Sequence, residues 1–184
     1  AAINTGSQFE ASMSQVAATM GMTADEASYS NAEYAKLANT AKQMGASTKF
    51  SASEAGEALN FLALAGYDAD KACAALPTIL NLAAAGGMDL AAASDMVTDS
   101  MSALGIAATE ENLTQFGDQL AKTAQKSNTS VSQLGEAILT VGGTAKSLAG
   151  GTTELNALLG IIADNGVKGA EGGTKLRNIM LSLQ

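Results

Sequence analysis

The sequence predicts an all-α protein, a bundle of about eight or nine short helices. Three observations lead to this fold class: apolar residues recur at helical spacing, helix formers such as alanine, leucine, methionine and glutamate are well represented, and glycines fall where helical patterns end. Histidine and tryptophan are absent, and four phenylalanines and three tyrosines supply all the aromatic side chains. This composition favours thin helices that pack closely through small side chains.

Two helices are predicted at the N-terminal end. The first covers residues 7–20, where Phe9, Met13, Val16 and Met20 form one stripe. The second covers residues 23–44, with Thr23 and Glu26 as a capping box. The glycines expected to stop these helices are Gly21 and Gly45.

Caps and glycine stops predict the remaining helices. Ser51 opens a third helix that ends at Gly66, and Asp68 opens a fourth, which Pro77 must kink or divide before Gly86-Gly87 stops it. The later predicted helices run from Asp89 to about Leu104, over about 110–126, from Ser130 to Gly142-Gly143, from Thr152 or Thr153 to Asn165-Gly166, and on to the C-terminus.

One stretch of the chain recurs later as a similar sequence. Residues 51–105 align with residues 130–184 at an offset of 79 without a gap, with 12 identities in 55 pairs where chance gives roughly five. Both copies begin with a capping box, S-x-x-E in the first and S-x-x-Q in the second. The candidate caps and repeat signature are Ser51, Glu54, Gly56, Glu57, Gly66, Gly87, Ser130, Gln133, Gly135, Glu136 and Gly166. A duplication explains this pattern; the alternative is that alanine-rich helices resemble each other by composition.

The repeat predicts the domain organisation. N-terminal helices occupy residues 1–46, a first three-helix module residues 47–105, and a connecting helix with a second three-helix module residues 106–184. The two modules are expected to pack through their apolar faces. Because the chain starts without methionine, we expect it to be a fragment of a longer polypeptide.

No catalytic, cofactor-binding or metal site is predicted. Without histidine there is no Ser-His-Asp triad, no Cys-His pair and no histidine metal ligand, which disfavours a peptidoglycan hydrolase. The single cysteine, Cys73, lies among alanines and is expected to be a small hydrophobic residue in a helix. No D-x-D-x-D-G loop for calcium occurs.

Three further patterns resemble sites, and each has a structural explanation. The run VGGTAKSLAGG at 141–151 lacks the glycines that a phosphate loop needs, and EGGTKLR at 171–177 separates its glycines from its lysine. Both are expected to be helix ends. The carboxylate pairs Asp25-Glu26, Glu110-Glu111 and Asp68 with Asp70 fall in first helical turns, where acidic residues complement the helix dipole.

The charge pattern disfavours nucleic-acid binding. The net charge is −8, and no basic residue occurs between Lys71 and Lys122, so this segment repels phosphate backbones. Basic residues gather near the C-terminus, at Lys168, Lys175 and Arg177. They are expected to complement a helix dipole; the alternative is a contact for an acidic partner.

Several runs, in order, resemble the core region of phage tail tape measure proteins. They are FEASMSQVAATMG at 9–21, AKQMGASTKFSASEA at 41–55, the whole of 48–105, TSVSQLGEAILTVGGTAKSL at 129–148, and LNALLGIIADNGVKGAEGGTKLRNIMLSL at 155–183. The last contains G-x-K-G-x-E-x-G-T-x-L-R at 166–177. Two features depart from the family: the adjacent Gly172 and Gly173 are expected to loosen the start of the last helix, and long coiled-coil segments and a hydrophobic span are missing.

The resemblance implies a non-enzymatic, structural role. It implies action in tail length determination, tail assembly and genome ejection, a place in the lumen of the tail tube, and residence in the host cytoplasm during assembly. It further implies tail tube and tail-tip or baseplate proteins, tail assembly chaperones and self-association as partners, with no sequence-specific nucleic acid and membrane contact only during ejection. Length measurement itself is not expected to be encoded in these residues.

The alternative function is a membrane-active helical bundle that opens a path through the host envelope. Two features motivate it: the uncharged stretch at 72–88 and the basic last helix. At 17 residues, with Pro77 inside it, the stretch is a poor bilayer span.

Overall fold

Nine α-helices and one short 3-10 helix occupy residues 2–183, the part of the chain that the computed structural model describes, and no strand occurs among these residues. The predicted all-α fold class is confirmed. The helices are α1 (Ala2–Thr19), α2 (Ala32–Ser47), α3 (Ala52–Leu64), α4 (Ala69–Gly86), α5 (Leu90–Leu104), α6 (Glu110–Lys126), α7 (Val131–Val141), α8 (Gly151–Asp164) and α9 (Gly169–Ser182). The 3-10 helix, Gly142–Ser147, lies between α7 and α8.

The chain forms two compact units. The first comprises Ala1–Ala84 and Asp89–Asp95, and the second comprises Ala85–Met88 and Met96–Gln184. The three-segment division expected from the sequence stays a prediction.

Helix α3 is the central element of the first unit, and both α1 and α2 pack on it. Fully buried apolar side chains come from all three helices: Met13 and Val16 from α1, Leu37 from α2, and Leu59 and Leu62 from α3. Burying each such side chain contributes roughly 1.5–3 kcal/mol, so this cluster holds the unit together.

In the second unit α7 contacts α9, α6 and α8, and α8 also contacts α6 and α9. The core contains Phe116 and Leu120 of α6, Ile138 of α7, Leu159 of α8 and Leu176 of α9, all buried. Its helices therefore share one apolar interior.

Helix α2 begins at Ala32, so the predicted start at Thr23 is wrong. Thr23 and Glu26 do interact, because Oε2 of Glu26 accepts hydrogen bonds from the backbone N (2.8 Å) and hydroxyl (2.9 Å) of Thr23. These bonds close only a turn. Asn31 provides the cap instead, accepting two backbone N–H groups of the first turn of α2 with its side chain.

Gly45 does not stop α2, contrary to the prediction, since the helix continues to Ser47. A Cβ atom added at Gly45 would overlap the backbone of Ala52, the first residue of α3. The glycine therefore allows the end of α2 to approach the start of α3 closely.

Pro77 does not divide α4, which is one helix from Ala69 to Gly86. Proline removes one donor from the helical ladder. The helix continues because its buried apolar face spans the proline, with Leu76, Ile79 and Leu80 fully buried.

Four helices end in the same backbone motif, which confirms several predicted glycine stops. At Gly66 the backbone N donates to Ala63 O (2.9 Å) and the next N, of Tyr67, donates to Leu62 O (3.0 Å). Gly21, Gly105 and Gly166 repeat this pattern after α1, α5 and α8. Each glycine has a positive φ, between 67° and 87°, which a residue without Cβ adopts at little cost.

Candidate functional site

The two capping boxes recognised in the sequence both form. Oγ of Ser51 accepts the backbone N–H of Glu54 (3.2 Å), while Oε2 of Glu54 accepts the backbone N–H of Ser51 (2.7 Å). Ser130 and Gln133 make the same reciprocal pair, both bonds at 3.2 Å. The backbone and hydroxyl of Ser51 donate to the Glu54 carboxylate and so lower its pKa, whereas the amide of Gln133 has no such titration.

Two glycines of the signature lie buried on the inner faces of α3 and α7. A Cβ atom at Gly56 would come within 3.0 Å of the Cβ of Ser12 in α1. One at Gly135 would come within 2.5 Å of the Cγ of Met96 in α5. The absent side chains therefore let a neighbouring helix approach closely at the same position of the repeat.

The remaining signature residues lie at exposed positions or turns. Glu57 and Glu136 follow the buried glycines and are exposed. Gly87 and Gly166 follow α4 and α8 with φ of 60° and 87°, so a glycine with positive φ ends both helices. These side chains and turns do not converge on one reactive centre.

The correspondence between the two halves extends one helix further than the sequence alignment. Helices α2 and α6 bury residues at equivalent positions, 79 apart in the chain. The buried residues are Tyr34, Leu37, Ala38 and Ala41 in α2, and Leu113, Phe116, Gly117 and Leu120 in α6. Their C-caps, Thr48 and Ser127, are also 79 apart, and each donates its backbone N–H to the carbonyl four residues earlier. No pair of residues is identical between 32–47 and 111–126, which is why sequence comparison missed it.

The G-x-K-G-x-E-x-G-T-x-L-R run forms the turn into α9 and its first turns. Gly169 has a φ of 57°, and a Cβ atom there would lie 2.7 Å from Oε2 of Glu136. A Cβ atom at Gly173 would overlap the backbone carbonyl of Ala137 in α7 and lie 2.8 Å from the Cβ of Thr140. Gly169 and Gly173 were absent from the predicted signature, although the spacing of glycines in the run was a usable signal.

The adjacent glycines do not loosen the last helix, contrary to the expectation. Helix α9 begins at Gly169, and both Gly172 and Gly173 are buried within it. Glycine in a helix interior costs about 1 kcal/mol relative to alanine. Close packing of α9 on α7 offsets that cost.

The sequences that resembled chemical sites form helix ends and ion pairs. In the run at 141–151, Gly142 caps α7 and a 3-10 helix follows. Asp68 pairs with Lys71 (2.8 Å) and Asp70 with Lys36 (2.6 Å), so these two carboxylates do not act on each other. Hydrogen bonds from Lys71 lower the pKa of Asp68. Among the described residues, no group of three or more acidic or cysteine side chains is placed to hold a metal ion.

A groove between α6 and α8 contains buried acceptors that the sequence did not indicate. Oδ1 of Asn156 and Oε1 of Gln119 are buried without a hydrogen-bond partner, while their amide nitrogens donate to Thr152 O (2.9 Å) and Thr153 Oγ1 (2.8 Å). The groove has a volume of about 340 Å³. Its two free oxygens can accept hydrogen bonds from a donor.

Among the described residues, no single helix is long and apolar enough to cross a membrane. One pair of helices, Ala69–Gly86 with Leu90–Leu104, has the combined length and composition of a membrane span, by these two criteria only, and the pair is bent by 119°.

The fold and the signature residues define a class of protein: an all-α structural module whose marked residues form caps, turns and close helix contacts. Comparison with known proteins identifies the family. The chain belongs to the phage-related minor tail protein family, whose sequence model matches residues 38–184.

Two curated relatives are named as a tape measure protein and a probable tape measure protein. A tape measure protein of Pneumococcus phage Dp-1 is 36% identical over 180 residues, which cover 98% of this chain and 15% of that protein. A probable tape measure protein of Escherichia phage P2 is 28% identical over 179 residues, covering 97% of this chain and 21% of that protein. The chain thus spans only a small part of the length of these relatives. No solved structure matches it.

The resemblance predicted from the sequence is therefore confirmed, and the chain corresponds to a region of a phage tape measure protein. The relatives support a structural tail component and give no support to the membrane-active alternative.

Proposed function

We propose that this chain is a folded, non-enzymatic module of a tape measure protein, acting in tail assembly and genome ejection within a protein that also determines tail length. The observation that carries the proposal is similarity to a tape measure protein and to a probable tape measure protein, over 98% and 97% of the chain. The residues that the repeat preserves serve packing, since they form caps, glycine turns and close helix contacts.

The chain is a folded part of the longer protein and does not itself measure tail length. A continuous α-helix that sets tail length extends about 1.5 Å per residue, so 184 residues of such a helix would account for about 280 Å of tail. The helices here are short and are interrupted by glycine turns, which is unsuited to measuring length.

Deletion of the corresponding region from the tape measure gene of a related phage tests this function. We expect defective assembly or defective DNA ejection, with the length of any completed tails unchanged in electron micrographs. A deletion of equal size elsewhere in the same gene serves as the control. Tails that are shorter by about 280 Å and fully infectious would contradict the proposal.

The proposed location is the lumen of the tail tube, after assembly in the host cytoplasm. The proposed partners are tail tube proteins, tail-tip or baseplate proteins, tail assembly chaperones and further copies of the chain. Cross-linking in purified tails, with a cysteine at exposed Glu57 in a Cys73→Ala background, is expected to capture one of these proteins. Capture of the major head protein alone would contradict this location.

The acidic surface fits passage of DNA without adhesion. The net charge of −8, and the absence of basic residues between Lys71 and Lys122, leave little to attract a phosphate backbone. We expect no binding to duplex DNA in a filter assay at about 0.15 M salt. Adhesion that resists high salt would contradict this part of the proposal.

A further inference from the structure

Helices α1 and α5 end alike and each lies against a buried glycine of another helix, and the predicted repeat aligns α9 with α5. Helices α1 and α5 end in the same turn, at Gly21 and Gly105, which are 84 positions apart. Both helices lie against a buried glycine, since Ser12 of α1 lies against Gly56 of α3 and Met96 of α5 lies against Gly135 of α7. Ser12 and Met96 are 84 positions apart, whereas the two glycines are 79 positions apart. Helix α9 aligns with α5 at the offset of 79 that relates the later helices.

The apolar stripe is covered in the first two helices and partly uncovered in the third. The equivalent positions are Met13, Val16 and Ala17 in α1 with Met20 just after it, Val97, Ser100, Met101 and Leu104 in α5, and Leu176, Ile179 and Met180 in α9 with Leu183 just after it. Val16 and Ser100 are 0% exposed, whereas Ile179, the equivalent residue of α9, is 51% exposed. Leu104 is 8% exposed and its equivalent, Leu183, is 81% exposed.

The helices that cover the stripes of α1 and α5 indicate what kind of helix would cover the stripe of α9. In both cases the neighbouring helix is capped, amphipathic and carries a buried glycine, Gly56 in α3 and Gly135 in α7. A second copy of this chain cannot supply such a helix without unfolding, because both glycine faces are already occupied, by Ser12 and by Met96.

The charge on α9 further restricts which partner helices would fit. Lys175 stands in α9 where Ser12 and Met96 stand in α1 and α5, the position that lies against the glycine. An exposed glutamate follows that glycine in both known cases, as Glu57 and Glu136. A partner helix with a Gly-Glu pair would place a carboxylate near the ammonium group of Lys175, whose present partner, Glu171, is 3.0 Å away and exposed.

We propose that the surface formed by Ile179 of α9 and by Leu183, the C-cap of α9, is a docking surface for a further helix of the same design. That helix is capped and amphipathic, carries Gly-Glu on its apolar edge, and comes from polypeptide outside this sequence. The proposal rests on the repeat alone and does not depend on a role in the phage tail.

A chimeric extension tests the proposal. A second copy of residues 106–184, which contains α6 and α7 together with the helices α8 and α9 on which they pack, is appended after residue 184, with Gln184→Gly at the junction to reproduce the turn at Gly105. The readout is the maleimide labelling rate of Ile179→Cys in a Cys73→Ala background, so that one thiol is present. We expect the extension to slow labelling at least about tenfold, because burial of this side chain makes labelling depend on local opening.

Two controls separate docking from general effects. Leu181→Cys, at the position equivalent to exposed Ser102, is expected to label at the same rate with and without the extension. Replacement of the appended copy of Gly135 by leucine is expected to restore fast labelling at position 179.

Several outcomes would overturn the inference. One is an appended segment that is helical by circular dichroism while labelling at position 179 is unchanged, and another is an appended segment that stays unfolded. A third is dimerisation of the unextended chain through this face, measured by sedimentation and abolished by Ile179→Ser, which would make a second copy the occupant.

Discussion

Gly173→Ala gives the most direct test of how α9 packs. A Cβ atom at this position would overlap the carbonyl oxygen of Ala137 and lie 3.0 Å from its carbonyl carbon. Backbone atoms cannot rotate away, so α9 must shift from α7. Overpacking of this kind costs about 1–3 kcal/mol, and alanine recovers about 1 kcal/mol of helix propensity. We expect a net loss of about 1 kcal/mol in the free energy of unfolding, within a range of about 0–2 kcal/mol.

Urea denaturation followed by circular dichroism measures this change, and thermal melts should show a decrease of about 4 °C. Gly6→Ala is the matched control, since Gly6 lies in α1 and a Cβ atom added there would meet no atom within 4 Å. That substitution is expected to leave stability unchanged or raise it by up to about 1 kcal/mol. If Gly173→Ala behaved like Gly6→Ala, the close contact between α7 and α9 would be refuted.

Three further predictions concern caps and turns. Ser51→Ala and Ser130→Ala should each lower stability by about 1 kcal/mol, and urea midpoints equal to wild type would contradict the caps. Because the pKa of Glu54 is lowered, its carboxylate contributes fully to stability above its ordinary pKa of 4.5, and this contribution is lost as pH falls through the lowered pKa. The Glu54→Gln variant should therefore lose less stability than wild type on acidification. Equal losses in the two proteins would argue against the capping box. Gly66→Ala, at a φ of 84°, should cost about 1 kcal/mol by thermal melt, while Gly143→Ala should cost little.

Features that depend on neighbouring residues could be predicted from the sequence. The caps at Ser51, Ser130 and Asp89 and the turns at Gly66 and Gly166 are short-range, because each involves hydrogen bonds within five residues. These local signals were sufficient for the number of helices and for most of their ends.

Features that depend on distant residues could not be predicted. Thr23 and Asn31 both offer a cap for α2, and the choice between them depends on packing of the apolar stripe on α3. Gly45 and Gly173 look like helix breakers in the sequence, and only the approach of another helix explains them. The match between α2 and α6 involves no identical residue, since Leu37 and Phe116, like the other buried pairs, share only burial.

The local definition of helix ends has a kinetic consequence. Caps and glycine turns form between residues close in the chain, and each unit contains consecutive helices that pack on one another, α2 with α3 in the first and α6 with α7, α7 with α8 and α8 with α9 in the second. Proteins with such topology refold in microseconds to milliseconds, since little loop-closure entropy precedes the first stabilising contacts. After passage through a channel too narrow for its native form, this chain would regain its structure on the far side without a template.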